Sequence, residues 1–231
     1  MELIRDSWSV ASINEFNKYL ESIKRVEKIE FSKRVVNTSM EVLGINNPTC
    51  KEIAQKIQKG NFIDFLENND FKYYESTLVQ AYLINYIKDA KEKEKYINKL
   101  YLDNWATVDA LTFKVKNNET EYLKLAKKYI KSKETFIRRV GVRILFSFTD
   151  TEYVEEIFKI IDSLYKEKEY YVNMAVAWLC CELMIKNRDI MVEYLNHHHL
   201  NDFTINKAIS KCRDSFRISA KDKEMLIKYK K

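Results

Sequence analysis

Read as apolar and polar positions, the chain shows helical spacing nearly everywhere, interrupted every ~12 to 18 residues. From about Val10 to Val36, Ile13, Phe16, Leu20 and Ile23 share one stripe, as in an amphipathic helix or helix pair. The clearest break is Leu43-Gly44-Ile45-Asn46-Asn47-Pro48-Thr49. Pro48 suits the first turn of a helix running through Ile53 and Ile57 to Gly60. The same spacing predicts helices over about 61–68, 73–88, 91–102, 105–115, 119–132, 134–149, 151–166, 169–187, 188–197, 201–215 and 220–229. Short polar turns such as Thr149-Asp150-Thr151 join the later ones as antiparallel hairpins. No segment shows a convincing two-residue alternation, so no strand is expected. The pattern predicts an all-α fold: a HEAT-like helical-repeat solenoid whose antiparallel helix pairs form a curved array, one domain over residues 1–231.

Composition supports that reading. One proline and three glycines in 231 residues leave little room for hairpins or glycine-rich loops. With 46% hydrophobic and 32% charged residues, the chain fits a folded soluble protein rather than a disordered one. No apolar run approaches the ~18 residues needed to span a bilayer. The opening residues Met1-Glu2-Leu3-Ile4-Arg5-Asp6 lack a signal peptide's apolar region, and a cytoplasmic location is expected. Cys50, Cys180, Cys181 and Cys212 have neither zinc-site nor CxxC spacing, and read as reduced, buried thiols.

Charge changes the picture through its distribution. Forty Lys and Arg against 34 Asp and Glu give a net +6, modest for a nucleic-acid binder. Between Thr120 and Arg143, however, eight basic residues face only Glu121 and Glu134. From Asn206 to Lys231, nine basic residues face three acidic ones. Such patches are where phosphates would be held, or they are simply solvated helix faces.

Four residues carry the candidate chemistry. Trp105 and Asp109 are four apart, which puts them on one helix face, one turn apart. Arg139 follows Trp105 by 34 residues, and Trp178 follows Arg139 by 39. Each step approximates one two-helix repeat, so a solenoid would stack all four along one wall. Two π-faces, a carboxylate and a guanidinium suit a positively charged ligand bearing phosphate, and so DNA with damaged bases. The bland readings stay open: core tryptophans, a surface acid paired with a lysine, a snorkelling arginine. Arg139 and Arg143 share a face, and Ile137, Val140, Ile144 and Phe148 form the inner stripe. Gly141 in that stretch implies close approach of another helix or of the ligand backbone, or mere tolerance. His197-His198-His199 cannot converge on a metal, because successive helical residues point about 100° apart; it reads as a helix end, and no metal is expected. Tyr73-Tyr74 reads as packing, Tyr170-Tyr171 as packing or DNA contact, and Trp8 as a core or docking residue.

Four segments, in order, resemble the DNA alkylation repair family, the AlkD-type glycosylases built of HEAT-like repeats. The Leu43-Gly44-Ile45…Pro48 break is similar to the family's early Gly-Val…Pro segment. Trp105-Ala106-Thr107-Val108-Asp109 resembles its Trp-x-x-x-Asp motif. Phe136-Ile137-Arg138-Arg139 resembles its aromatic-x-x-Arg helix, and Tyr170 through Trp178 resembles the segment ending in a second active-site Trp. The resemblance implies that Trp105 and Trp178 flank the damaged nucleotide, that Asp109 is the catalytic carboxylate, and that Arg139 contacts the backbone near the lesion. Where active relatives commonly carry a Lys and, past the Trp, an Arg-Glu pair, this chain has Met174 and Cys181-Glu182. Its ending, Asn206-Lys207-Ala208-Ile209 through Arg217-Ile218-Ser219, resembles a divergent branch of the family.

The expected function is therefore hydrolysis of the N-glycosidic bond of positively charged N3- or N7-alkylated purines in double-stranded DNA. Asp109, Trp105 and Trp178 would act on the nucleotide; Arg138, Arg139, Arg143, Tyr170, Tyr171, Lys207 and Lys211 would hold DNA. No cofactor, metal or membrane is expected, and the protein is expected to be a monomer. The alternatives are a non-catalytic HEAT-like protein binding damaged, distorted or branched DNA, and a protein-interaction scaffold.

Overall fold

Helix starts are legible residue by residue. The first N–H groups of a helix have no carbonyl partner within it, and a short polar side chain just ahead can accept from one of them. Ser9, Asn46, Asn61, Asp89, Asn104, Asn201 and Ser219 all do this. In the computed structural model, which describes residues 1–231, the first helices are α1 (Val10–Ser22), α2 (Val26–Val36), α3 (Asn47–Ile57), α4 (Phe62–Asn68), α5 (Tyr74–Ile84), α6 (Ala90–Lys99) and α7 (Trp105–Ala110). They are followed by α8 (Glu119–Ile130), α9 (Thr135–Leu145), α10 (Val154–Asp162), α11 (Tyr170–Lys186), α12 (Arg188–Leu195), α13 (Asp202–Asp214) and α14 (Ala220–Met225). Single 3-10 turns extend α9 (Phe146–Phe148) and α14 (Leu226–Tyr229). The fold is all-α, as the periodicity predicts, and the region from Val10 to Val36 is a helix pair.

Met1–Thr112 forms one compact unit and Phe113–Lys231 another. In the first, α3, α5 and α7 pack in succession. α5 is buried along nearly its whole length, its polar Glu75, Ser76, Thr77 and Gln80 included. Trp8, Phe16 and Phe65 meet edge to face beneath α1 and α4, with centroids 4.9–6.2 Å apart, so Trp8 is a core residue. Tyr73 and Tyr74 are buried too. The break before α3 turns on Gly44 (φ 76°), where a Cβ would lie 2.5 Å from the Arg25 carbonyl oxygen. The fully buried Glu75 carboxylate holds that break, accepting the N–H groups of Leu43 (3.0 Å) and Ile45 (3.2 Å). Burial pushes the Glu75 carboxyl up, against the pull of these donors.

In the second unit, α9, α11 and α13 pack in succession, with α8 against α9 and α12 against α11. Alternate helices packed side by side, with α8 and α12 against them, is an arrangement consistent with two-helix repeats. Gly141 has its explanation here. A Cβ at that position would lie 2.9 Å from the Ile130 backbone nitrogen and 3.1 Å from the Ala126 carbonyl oxygen, so α8 and α9 cross too closely for a side chain. The four cysteines are free and buried.

Two helices fall well short of the periodicity: α10 covers only Val154–Asp162 of the expected 151–166, and α7 stops at Ala110 rather than near 115. From Leu111 onward the chain is extended: Leu111, Phe113 and Val115 are buried while Thr112 and Lys114 are exposed. Asn85 stabilises the exit, donating to the Ala110 carbonyl (2.8 Å) and accepting from the Thr112 N–H (2.8 Å). The buried Lys93 also donates to the Thr112 carbonyl (2.7 Å). These side chains take over hydrogen bonds that a longer helix would have made for itself.

Candidate functional site

α7 is short because both of its ends are held. Asn104 caps the start, and Ala106, Thr107 and Val108 are buried. Trp105 and Asp109 are left half-buried one turn apart on the remaining face. The Trp105 ring is fixed from afar, its Nε1–H donating to the Val35 carbonyl (3.0 Å) in the last turn of α2. α2 ends there because Asn37 is left-handed (φ 56°), with its N–H on the Lys33 carbonyl.

Asp103, two residues before Trp105, ties the same segments together. It accepts from Thr38 Oγ1 (2.8 Å), the Ser39 N–H (2.7 Å), Ser39 Oγ (2.7 Å) and Asn104 Nδ2 (2.9 Å). Burial alone would raise its pKa, but these donors outweigh burial and hold the carboxyl below its usual value. The two acids of Asp103-Asn104-Trp105-Ala106-Thr107-Val108-Asp109 thus differ in role. Asp103 is the clamp that positions the helix, and Asp109 rides on the helix beside the indole.

In the second unit the arginines of α9 divide. Arg138 is a clasp: Nε and Nη2 reach the two Glu167 carboxylate oxygens (2.6 and 3.1 Å), and Nη1 reaches the Ser132 and Lys133 carbonyls (3.1 and 2.9 Å). Burial would raise Glu167, but Arg138 and the N–H groups of Glu169 and Lys168 outweigh it and hold the carboxyl low. Arg139 is only 5% exposed and donates from Nη1 to the Tyr171 carbonyl (2.5 Å). Arg143, one turn on, places its guanidinium 4.6 Å from the Phe146 ring centre and 5.0 Å from that of Trp178. The two rings meet at 4.7 Å and 62°. Arg143, Phe146 and Trp178 therefore form one cation–aromatic cluster.

Trp178 belongs to the half-buried stripe of α11, with Tyr171, Met174 and Glu182. Cys181 has turned inward and is buried. Arg217, from the segment after α13, pairs with Glu182 through both terminal nitrogens. A guanidinium thus does stand beside Glu182, supplied by a different segment. At the start of α11, Tyr170 is 53% exposed and packs against Tyr171 and Phe203. Lys207 lies 5.6 Å from the Phe203 ring, and Lys211 sits half-buried one turn further along α13.

The parts played by Val35, Asp103, Phe146, Glu167 and Arg217 are not legible in the sequence. Thr38 and Asp103 are 65 positions apart and Arg138 and Glu167 are 29 apart, so no local spacing announces either contact. The histidines lie just past the end of α12 and part company there: His197 faces Glu193 and His199 faces Asp162. A shallow hollow of about 600 Å³ near Ser210, Asp214, Lys223 and Ile227 contains none of the residues named for chemistry. No helix is long and apolar enough to cross a membrane.

A family model described as "DNA alkylation repair enzyme" matches residues 16–212, most of the chain and all of Trp105, Asp109, Arg139 and Trp178. No curated protein matches the chain.

Proposed function

The chain belongs to the DNA alkylation repair enzyme family, and on that premise we propose that it is a DNA glycosylase releasing positively charged N3- or N7-alkylated purines. The observation that carries this reading is the Trp105–Asp109 pair, half-buried on one face of a helix anchored at its start, within the matched region.

The chemistry asks for little. An alkylated purine cation is already a good leaving group, so no general acid is needed for the base. The C1′–N bond breaks with its electron pair going to the purine, which leaves neutral. The sugar gains oxocarbenium character, which a nearby anion stabilises. Water then bonds to C1′ and gives up a proton. Asp109, as a carboxylate, serves as the anion and as acceptor of that proton. Trp105 offers a π-face to the cationic nucleotide, worth about 0.5–2 kcal/mol. The family resemblance supports a position beside the nucleotide for Trp178 and beside its backbone for Arg139, with Arg143, Tyr170, Tyr171, Lys207 and Lys211 as further DNA contacts.

A second reading, binding of damaged or distorted DNA without excision, is favoured by one observation. The Arg143 guanidinium already lies beside the Trp178 ring, where it repels a cationic base. The deciding experiment incubates the protein with methylated genomic DNA and quantifies released bases by mass spectrometry. The glycosylase reading expects 3-methyladenine or 7-methylguanine from the wild type. Asp109→Asn should lower release by at least about 10²-fold with DNA binding nearly unchanged. Folded wild-type protein that binds DNA yet releases nothing would replace the first reading with the second.

A further inference from the structure

The first turns of α9, α11 and α13 meet in a continuous row of rings. Phe136 lies 5.4 Å from Tyr171, Tyr171 lies 5.3 Å from Tyr170, and Tyr170 lies 6.0 Å from Phe203. Lys207 closes the row, 5.6 Å from Phe203. Packing alone does not account for it, because Tyr170 is 53% and Phe203 41% exposed. The core of this unit is built without them, from Val140, Ile144, Val176, Leu179 and Ile205.

We propose that this aromatic ledge binds an unpaired DNA strand, with bases stacking on Tyr170 and Phe203 and phosphates held by the flanking lysines. The charge pattern selects that occupant. Exposed Lys133, Lys166 and Lys168 stand in the turns leading into α9 and α11, and exposed Lys207 stands at the far end. The nearby acids are offset in part. Glu134, Glu169 and Asp202 sit at helix starts, against the partial positive charge of each terminus. Glu167 is spent on Arg138. Lysines beside exposed rings form the surface single strands prefer, since every unpaired base offers a π-face that a duplex hides within its stack. The ledge does not depend on excision, and Asp109→Asn should bind an unpaired strand as the wild type does.

The test is fluorescence anisotropy of the full chain with a labelled 12-nucleotide oligothymidylate and, separately, a 12-base-pair duplex. Both key rings are exposed, so Tyr170→Ala with Phe203→Ala should fold, as circular dichroism would verify. The double variant is expected to lose about 10- to 100-fold in affinity for the single strand and several-fold less for the duplex, to which Tyr170 is one contact among several. Lys207→Gln should shallow the single-strand salt dependence by about 0.7 in log–log slope, one phosphate's worth. An unchanged single-strand affinity in the double variant would overturn the proposal, as would an equal loss on both DNAs. Self-association of the wild type that the double variant abolishes, with single-strand binding intact, would assign the ledge to a second copy of the chain instead.

Discussion

At the scale of single residues, chemically identical side chains a few positions apart settle into different surroundings. Asp103 and Asp109 are both acids flanking one tryptophan, yet Asp103 is consumed by Thr38, Ser39 and Asn104. Arg138 and Arg139 are neighbours, and Arg138 is a clasp on Glu167. Arg143 has the most consequence for specificity, because it sets a cation against the ring proposed to receive one. Arg143→Met would clear the Trp178 face and remove a like charge. Its selectivity for methylated over undamaged duplex is expected to rise by about 2- to 30-fold, the range of one cation–π contact. Competition binding would measure it, and unchanged or reduced selectivity would show that Arg143 does not compete with the base.

At the scale of elements, helix ends decide what the faces can do. α7 exposes Trp105 and Asp109 because Asn104 starts it and Asn85 receives the chain as it leaves. α9 is fixed to the turn before α11 by the Arg138–Glu167 pair, in which both side chains are largely buried (14% and 5% exposed). That pair has a pH signature. Glu167 has a folded pKa below its ordinary value, so its contribution to stability is present above that value and lost as pH falls through the folded one. Acid unfolding followed by circular dichroism should show a steep loss of stability below about pH 4.5. In Glu167→Gln the neutral-pH stability should fall and the acid limb should flatten. An acid limb as steep as the wild type's would assign the transition to other carboxylates.

At the scale of the whole molecule, a charge count overstates one patch and holds for the other. Of the eight basic residues between Thr120 and Arg143, Lys127 pairs with Glu156 and Arg138 with Glu167, which leaves a weaker field than the sequence suggests. In the C-terminal segment, Asp222 is engaged by Arg188 and Arg217 by Glu182, so the two outside pairs offset each other and the basic excess stands as the count implies. Duplex affinity is accordingly expected to fall linearly in log K against log salt, by about 0.9 for each phosphate engaged. Titrations between about 50 and 200 mM salt would measure that slope. A flat response would remove DNA as the partner and leave the scaffold reading in its place.

The sequence by itself determined the all-helical fold, most helix starts, the Gly44–Pro48 break and the resemblance that the family match bears out. Those are local properties: periodicity, caps and backbone restrictions act over a few residues and can be read along a line. Tertiary structure decided where α7 stops, which arginine is a clasp, and that a guanidinium reaches Glu182 from Arg217 once Cys181 turns inward. Each of these rests on partners 25 to 35 positions apart, such as Asn85 with Ala110 or Arg217 with Glu182. Hydrogen bonds and ion pairs of that reach are chosen by packing, which one chain read in order does not display.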